Sequence, residues 1–413
     1  MMAAGALAGI RVVDMTNFVA GPYCTMLLAD MDAEVIKVEA PPLGDPSRYR
    51  EDDSGYSTGF AAVNRNKKSV LLDLKSAQGR EALMRLLATA DVFVVSLRPR
   101  SRRDLGISYE QLRERFPGLV YCSISGLGES GEATDRAAFD TTAQALSGIL
   151  SLITSDFDKP VRITLFLADQ LAGMYGCYGI MGALIARGRT GRGQFVGTSL
   201  LQASTAFATL NFFHCFAAER AKPKQGMAAA DKSMTLRTAG FLFTGSDGKP
   251  FAIHVPPSPP KNWVAFTDAL GRADLREDPR FLDKPGREKN YEALHGILAE
   301  EVKRHPRDHW LARLEEADVP CAPMYALNEV FHDRLIKSLG LLAQTTSPSG
   351  ETELTVRSGV NLSENDPRVR VRGPLAGEHT LELVRELGYT ETEIAELEKS
   401  GAIQRQGGAR KAR

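Results

Sequence analysis

The chain has 413 residues, with 51 Lys and Arg balanced by 51 Asp and Glu, 43% hydrophobic residues and 25% charged ones. This ordinary, neutral composition excludes wholesale disorder and any global field that would draw in nucleic acid or a membrane surface, so an anion site must be local. The length exceeds what one hydrophobic core usually supports, and two domains are expected.

Short β-branched runs alternate with helical patterns over residues 1–130. Ile10 to Asp14, Val35 to Val38, Val70 to Leu74, Val92 to Leu97 and Leu119 to Ile124 read as strands. Gly21-Pro22 opens a helix carrying Met26, Leu27 and Leu28, Ser76 opens another through Ala90, and Ser108-x-x-Gln111 is a capping-box pattern before Leu112 and Phe116. Such alternation predicts an α/β fold, a mostly parallel sheet covered by helices on both faces. Ligands bind beyond the carboxyl ends of such strands, which points to the segments after Asp14, Leu97 and Ile124. No G-x-G-x-x-G follows the first strand, since Asp14 to Pro22 contains only Gly21, and this argues against a dinucleotide-dependent dehydrogenase.

Leu167-Ala168-Asp169-Gln170 begins an apolar helix in which Gly173, Gly176, Gly179 and Gly182 recur every three residues. Each glycine costs roughly 1 kcal/mol against alanine in a helix, so another backbone should pack closely on that face, with Leu171, Tyr175, Tyr178 and Ile185 filling the flanks. Asp169 falls at or just before the first turn, where unpaired backbone N–H groups favour a carboxylate. It reads either as a plain helix N-cap or as a nucleophile set by rigid packing. The uncharged run 170–186 approaches the lower limit for a membrane span, but Gln170 and the glycines mark it as a buried core helix.

Gln194 to Leu200 reads as a strand, followed by an apolar helical stretch from Leu201 to Phe216. Residues 219–237 fit a linker, Gly240 to Val255 a hairpin turned by Ser246-Asp247-Gly248-Lys249, and Pro256 to Pro260 a break. Helical patterns follow at 261–270, 288–304 and 307–317, then a strand-like Leu354 to Arg357 and a helix from Thr380 to Leu387. The domains read as 1–221 for the first part of a large domain, 222–328 for a small α/β domain, 329–404 for a return to the large domain and 405–413 for a disordered tail. Cys24, Cys122, Cys177, Cys215 and Cys321 are far apart, with no C-x-x-C pair and no ligand cluster, so reduced buried thiols and no metal are expected. The start lacks the basic region of a secretory signal, and a cytoplasmic protein is expected.

Taken in order, several segments resemble the class III CoA-transferases, the CaiB/BaiF family that includes formyl-CoA and carnitine CoA-transferases. They are Leu7 to Asp14, Ala20-Gly21-Pro22, Glu34 to Glu39, Asn64-Arg65-Asn66-Lys67-Lys68-Ser69, Leu72 to Lys75, Ser125-Gly126-Leu127-Gly128, Phe139-Asp140, Gln144 to Gly148, Thr190 to Gln194, Val319 to Pro323 and Gly377 to Thr380. The resemblance implies a Rossmann-like large domain with a parallel sheet, built from both chain ends, a smaller α/β domain between, and an interlocked homodimer. It implies an acyl-CoA:carboxylate CoA-transferase whose partners are a small-molecule acyl-CoA and a carboxylic acid, with no nucleic acid and no membrane. Coenzyme A thioester would be substrate, and no permanently bound cofactor or metal is implied.

In that family Asp169 matches the catalytic Asp, which carries an aspartyl anhydride and then an aspartyl-CoA thioester. Asp140 matches a position with an active-site acid in formyl-CoA transferase, implying a supporting electrostatic role. For CoA, the resemblance points to Val19 beside the adenine loop, Leu72 and Lys75 after the third strand, Ser96, Leu97, Arg98 and Arg103 after the fourth, and Arg136 before Asp140. Arg98, Arg100, Arg102 and Arg103 supply the charge that phosphates require. The chain departs from the family pattern at Ala40, which replaces an arginine, and at Ser96 and Asp104, where many members have Asn and Arg. It departs again at His254 to Trp263, proline-rich where a glycine-rich lid is usual. Two alternatives stand: an alpha-methylacyl-CoA racemase-like epimerase, whose histidine belongs where this chain has Phe139, and a non-catalytic CoA-binding paralogue.

Overall fold

The expected β/α alternation is realised in a computed structural model that describes residues 4–49, 55–130, 136–154, 160–221, 240–256 and 258–406. Six strands, β1 (Arg11–Met15), β2 (Glu34–Glu39), β3 (Lys67–Leu72), β4 (Val92–Val95), β5 (Val120–Ser125) and β6 (Phe195–Ser199), form a parallel sheet in the order 3-2-1-4-5-6. Ile403–Gln404 adds an antiparallel strand against β3. This is the doubly wound Rossmann order, which reverses direction between β1 and β4 and leaves a crevice there. β3 starts before the apolar run at Val70 because Lys67 and Ser69 find buried polar partners, Asp14 and Glu39.

Helices α1 (Ala20–Asp30), α2 (Thr58–Asn64), α3 (Ala77–Ala88), α4 (Pro99–Asp104), α5 (Tyr109–Leu112), α6 (Asp140–Leu146), α7 (Ile149–Thr154), α8 (Leu167–Thr190) and α9 (Leu200–Phe207) connect and flank the strands. Neighbouring strand residues point to opposite faces, so Val13, Ile36 and Phe93 pack with Leu83 and Leu86 of α3. Val12, Val35 and Val94 pack on the other side with Leu28 of α1 and Ala172 and Ile180 of α8.

The glycine face of α8 is used at three of its four positions. A Cβ at Gly173 would stand 2.7 Å from the Ala20 carbonyl oxygen, one at Gly176 2.9 Å from Ile124 and one at Gly179 2.6 Å from Val196, while Gly182 meets nothing within 4 Å. The flanks differ from expectation, since Leu171 is buried but Tyr178 and Ile185 are 72% and 65% exposed. Gly173→Val is therefore expected to cost about 1–3 kcal/mol by forcing α8 off α1. Gly182→Ala should stabilise by up to about 1 kcal/mol, and urea denaturation of the two variants checks both signs.

The contacts divide the chain into two compact units, Met1–Ala208 with Gly340–Arg413, and Thr209–Leu339, so the second is wider on both sides than 222–328. The apolar stretch after β6 breaks into α9 and a helix at Thr209–Ala221. Residues 222–239, most of the expected linker, lie outside the described residues. The second unit holds a three-stranded antiparallel sheet, Gly240–Thr244, Pro250–His254 and Cys321–Pro323. Its core collects Phe241, Phe243, Phe251, Phe266, Leu298 and Trp310.

Chain return is fixed by the Asn64 to Ser69 motif. Asn66 sits in the left-handed region, its Nδ2 donates to the Arg368 carbonyl (2.7 Å), and its Oδ1 accepts from Arg370 N–H (2.8 Å) and Val371 N–H (3.0 Å). The strand-like Leu354 region pairs with Leu342–Thr346, and a helix at Glu391–Ser400 opens on a Thr390–Glu393 capping box. The tail reading needs correction at Arg405, which pairs with Glu398, whereas 407–413 lie outside the described residues. Cys24, Cys122, Cys177 and Cys215 are buried, Cys321 is half-buried, none is joined in a disulfide among the described residues, and burial pushes the Cys177 thiol up to about 12. Among the described residues no helix is long and apolar enough to cross a membrane.

Candidate active site

The loop after β1 is held from below by buried charge. Asp14 Oδ1 accepts from Thr16 N–H (3.0 Å) and its hydroxyl (2.5 Å), while Oδ2 accepts from Thr25 (2.6 Å) and Lys67 Nζ (3.0 Å). Lys37 Nζ donates to the Thr16 carbonyl (2.7 Å) and pairs with Asp45 at 2.9 Å, and Asp45 Oδ1 also takes the Phe18 N–H. Asp14, Lys37 and Lys67 are all fully buried. The result is a rigid 16–19 segment with Phe18 at φ +65°, a conformation that costs a non-glycine residue energy and needs such support. Across the switch point Asn17 N–H donates to Ser96 Oγ at 3.2 Å, tying the loop after β1 to the loop after β4.

α8 brings Asp169 to the same edge of the sheet. Its last turn lies at the opposite edge, where Arg187 pairs with Asp91 (2.9 Å) ahead of β4 and donates to the Gly118 carbonyl ahead of β5. Its first turn lies past the carboxyl ends, beside α6. Asp169 is half-buried and is the third residue of the helix, not its N-cap; that position is Phe166, which caps with no side chain. Asp140 does the capping: Oδ1 accepts from Ala168 N–H at 2.8 Å and Asp169 N–H at 3.2 Å. Two donors expected to be unpaired near Asp169 are therefore already satisfied. Phe139, 65% exposed, meets Phe18 edge to face at 6.1 Å, and a phenyl ring there cannot move a proton as the racemase histidine would.

The residues expected to contact CoA fall at or beyond the carboxyl ends of the strands, with different freedom. Val19 is half-buried at the N-cap of α1, while Lys75, Arg98, Arg103 and Arg136 are exposed and available to phosphate. Leu72 ends β3 with its side chain 2% exposed inside the core, so a CoA contact there would run through its backbone. Leu97 packs against the same core, and the Ser96 hydroxyl already accepts from Asn17. Arg102 is also withdrawn from the expected phosphate cluster, because its buried guanidinium donates to Ser123 Oγ (2.9 Å) and pairs with Glu129. His254 is exposed at the end of its strand in the other unit.

Sequence reasoning missed Gln144, which donates to Asp140 Oδ2, and missed what Lys37 and Lys67 do. Lys37 gave a signal, a lysine between Ile36 and Val38 that calls for a buried carboxylate partner, whereas Lys67 precedes the apolar run of its strand and gave none. 

The family model described as CoA-transferase family III matches residues 7–380. The succinyl-CoA:glutarate CoA-transferase of Mus musculus is 31% identical over 409 residues, covering 96% of this chain and 90% of the relative. The succinyl-CoA:mesaconate CoA-transferase of Haloarcula marismortui is 32% identical over 395 residues, covering 93% of this chain and 97% of the relative. A crystal structure of a CAIB/BAIF family protein from Brucella suis superimposes with a TM-score of 0.79 at 30% identity, covering 93% of this chain and 100% of that one.

Proposed function

The chain belongs to CoA-transferase family III, and we propose that it moves CoA from an acyl-CoA thioester to a carboxylic acid through covalent intermediates on Asp169. The observation that carries this reading is a carboxylate in the first turn of a rigidly packed helix, relieved of capping by Asp140, at the ligand edge of a switch-point sheet. Asp169 attacks the thioester carbonyl, the C–S bond breaks, and CoA leaves as thiolate, giving a mixed anhydride. The thiolate then attacks the aspartyl carbonyl and releases the first acid as carboxylate. The incoming carboxylate attacks the aspartyl-CoA thioester, forming a second anhydride and freeing thiolate again. Attack of that thiolate on the new acyl carbonyl completes the product and restores Asp169. One difficult exchange becomes four easier acyl transfers, and no redox step enters.

Arg98, Arg103, Arg136 and Lys75 would hold the CoA phosphates, with Val19 and the backbone at Leu72 framing the nucleotide. Exposed apolar side chains on α8 and on the Leu342–Val356 hairpin, among them Tyr178, Ile185 and Leu354, favour a homodimer over a solvated monomer. Both substrates are soluble small molecules, and we place the enzyme in the cytoplasm. The donors and acceptors in the relatives' names make succinyl-CoA with a dicarboxylic acid the first pair to try. The test is intact-protein mass spectrometry after mixing with a panel of acyl-CoAs, with hydroxylamine trapping. A CoA-sized adduct lost on treatment with hydroxylamine supports the reading; exchange of the alpha proton with no adduct would replace it by racemisation.

A further inference from the structure

The first turn of α8 is held by a clamp that belongs entirely to α6. Asp140 opens α6, is 8% exposed, and gives one oxygen to the amides of Ala168 and Asp169. Its other oxygen accepts from Nε2 of Gln144, one turn on and fully buried, and that same nitrogen also donates to the Leu165 carbonyl at 3.2 Å. Gln144 thus ties the segment entering α8 to the carboxylate that caps it. The residue before Asp140 is fixed as well: Phe139 N–H donates to Thr142 Oγ1 (3.0 Å), whose hydroxyl donates to the Phe139 carbonyl (2.7 Å).

We infer that Asp140, seated by Gln144, is a positioning residue that fixes the backbone of Asp169 through its amide and so aims the nucleophile. This rests on the reading of Asp169 as nucleophile. A carboxylate is not required for the task, because what α8 needs is an acceptor at the Oδ1 position. Gln144 Oε1 is buried with no hydrogen-bond partner among the described residues. In Asp140→Asn the Gln144 side chain can turn so that this oxygen accepts from the new amide, while the amide oxygen keeps both helix N–H groups. Turning moves the Gln144 NH₂ away from the Leu165 carbonyl, so the repair is incomplete.

The experiment measures kcat and KM for acyl-CoA, the rate of adduct formation, and backbone hydrogen exchange of the peptide spanning Ala168 and Asp169, in full-length protein. Asp140→Ala should lower kcat and the adduct rate by roughly 100-fold, as a misplaced reacting group does, with KM within about twofold and faster exchange at the two amides. Asp140→Asn should recover kcat to within about fivefold of wild type and restore the slow exchange, since the cap survives. Gln144→Met should fall between them. A wild-type kcat in Asp140→Ala overturns the inference, and so does an Asp140→Asn variant as impaired as Asp140→Ala, which would mean that the charge itself acts. Should Asp140→Ala not fold, the Asn and Met variants still decide the matter: positioning requires near-normal kcat in the first and a loss in the second. Asp169→Asn is run alongside. If that control keeps its exchange activity, the covalent reading fails and the aiming role falls with it; if it is inert while Asp140→Ala is normal, only the aiming role fails.

Discussion

Asp169→Ala is expected to lower kcat/KM for CoA exchange by on the order of 10⁴-fold or more, with the CoA-sized adduct absent. The size follows from the chemistry: with no side-chain oxygen to take the acyl group, the enzyme retains only substrate positioning, and direct attack of a free carboxylate on the thioester has no covalent shortcut. The structure makes this an unusually clean substitution. Because Asp140 caps α8 through backbone amides, those hydrogen bonds remain when the Asp169 side chain is removed. Alanine is also the better helix former, by up to about 0.7 kcal/mol. Set against that gain is the carboxylate lost from the positive end of the helix, about 0.3–1 kcal/mol, so the variant should stay folded with a midpoint near that of wild type, and inactivity cannot be charged to unfolding. A plain N-cap would behave in the opposite way, losing about 1 kcal/mol of stability with activity little changed. Exchange of labelled CoA into product at the wild-type rate would end the covalent proposal.

The sheet was legible because its strands are apolar runs whose period and spacing are local properties: Val35 to Val38 and Val92 to Val95 announce themselves without reference to the rest of the chain. The place of Asp169 in the first turn of α8 was legible for a similar reason, as a lone carboxylate at the head of a helix whose glycines demand close packing. Its environment was not. The cap comes from Asp140, 28 residues earlier than Ala168, and nothing in the local sequence at 167–170 records that the amides are taken. The same holds for the arginines after β4. Four in six residues look equivalent in sequence, yet Arg102 faces inward to Glu129, 27 residues away, while Arg98 and Arg103 stay in solvent. The helix at Glu391–Ser400 is a different kind of miss. Thr390 and Glu393 spell a capping box that could have been read. The strand at Leu342–Thr346 could not, because it alternates weakly and, among the described residues, pairs only within its own exposed hairpin.

Lys67→Met is expected to cost about 3–5 kcal/mol in urea denaturation near neutral pH, far more than a surface charge would. Lys67 Nζ donates to Asp14, to the Pro22 carbonyl (2.9 Å) and to Asn64 (2.8 Å), and it is wholly buried, so its removal leaves the Asp14 charge without that cation and takes a donor from two more buried acceptors. The pH dependence identifies the partner. Burial alone would raise the Asp14 carboxyl, but Lys67, Lys37 and the hydroxyls of Thr16 and Thr25 outweigh it and hold the group at about 2, against 3.8 when unperturbed. Between those values the unfolded chain binds the proton and the folded chain does not, so stability rises with pH there. The contribution, about 2 kcal/mol, is whole above pH 3.8 and is lost as pH falls through about 2. Removing Lys67 removes much of what depresses the carboxyl, so the gap between wild type and variant should narrow as pH falls through that window. Arg385→Ala, which breaks an exposed pair with Glu391, should leave the midpoint unmoved at any pH. Since Asp14 and Lys37 hold Thr16, the destabilised variant should also bind CoA more weakly even where it remains folded, because the loop after β1 has lost its anchor. A variant as stable as wild type at neutral pH, or a gap that widens in acid, would mean that the buried charges do not support that loop.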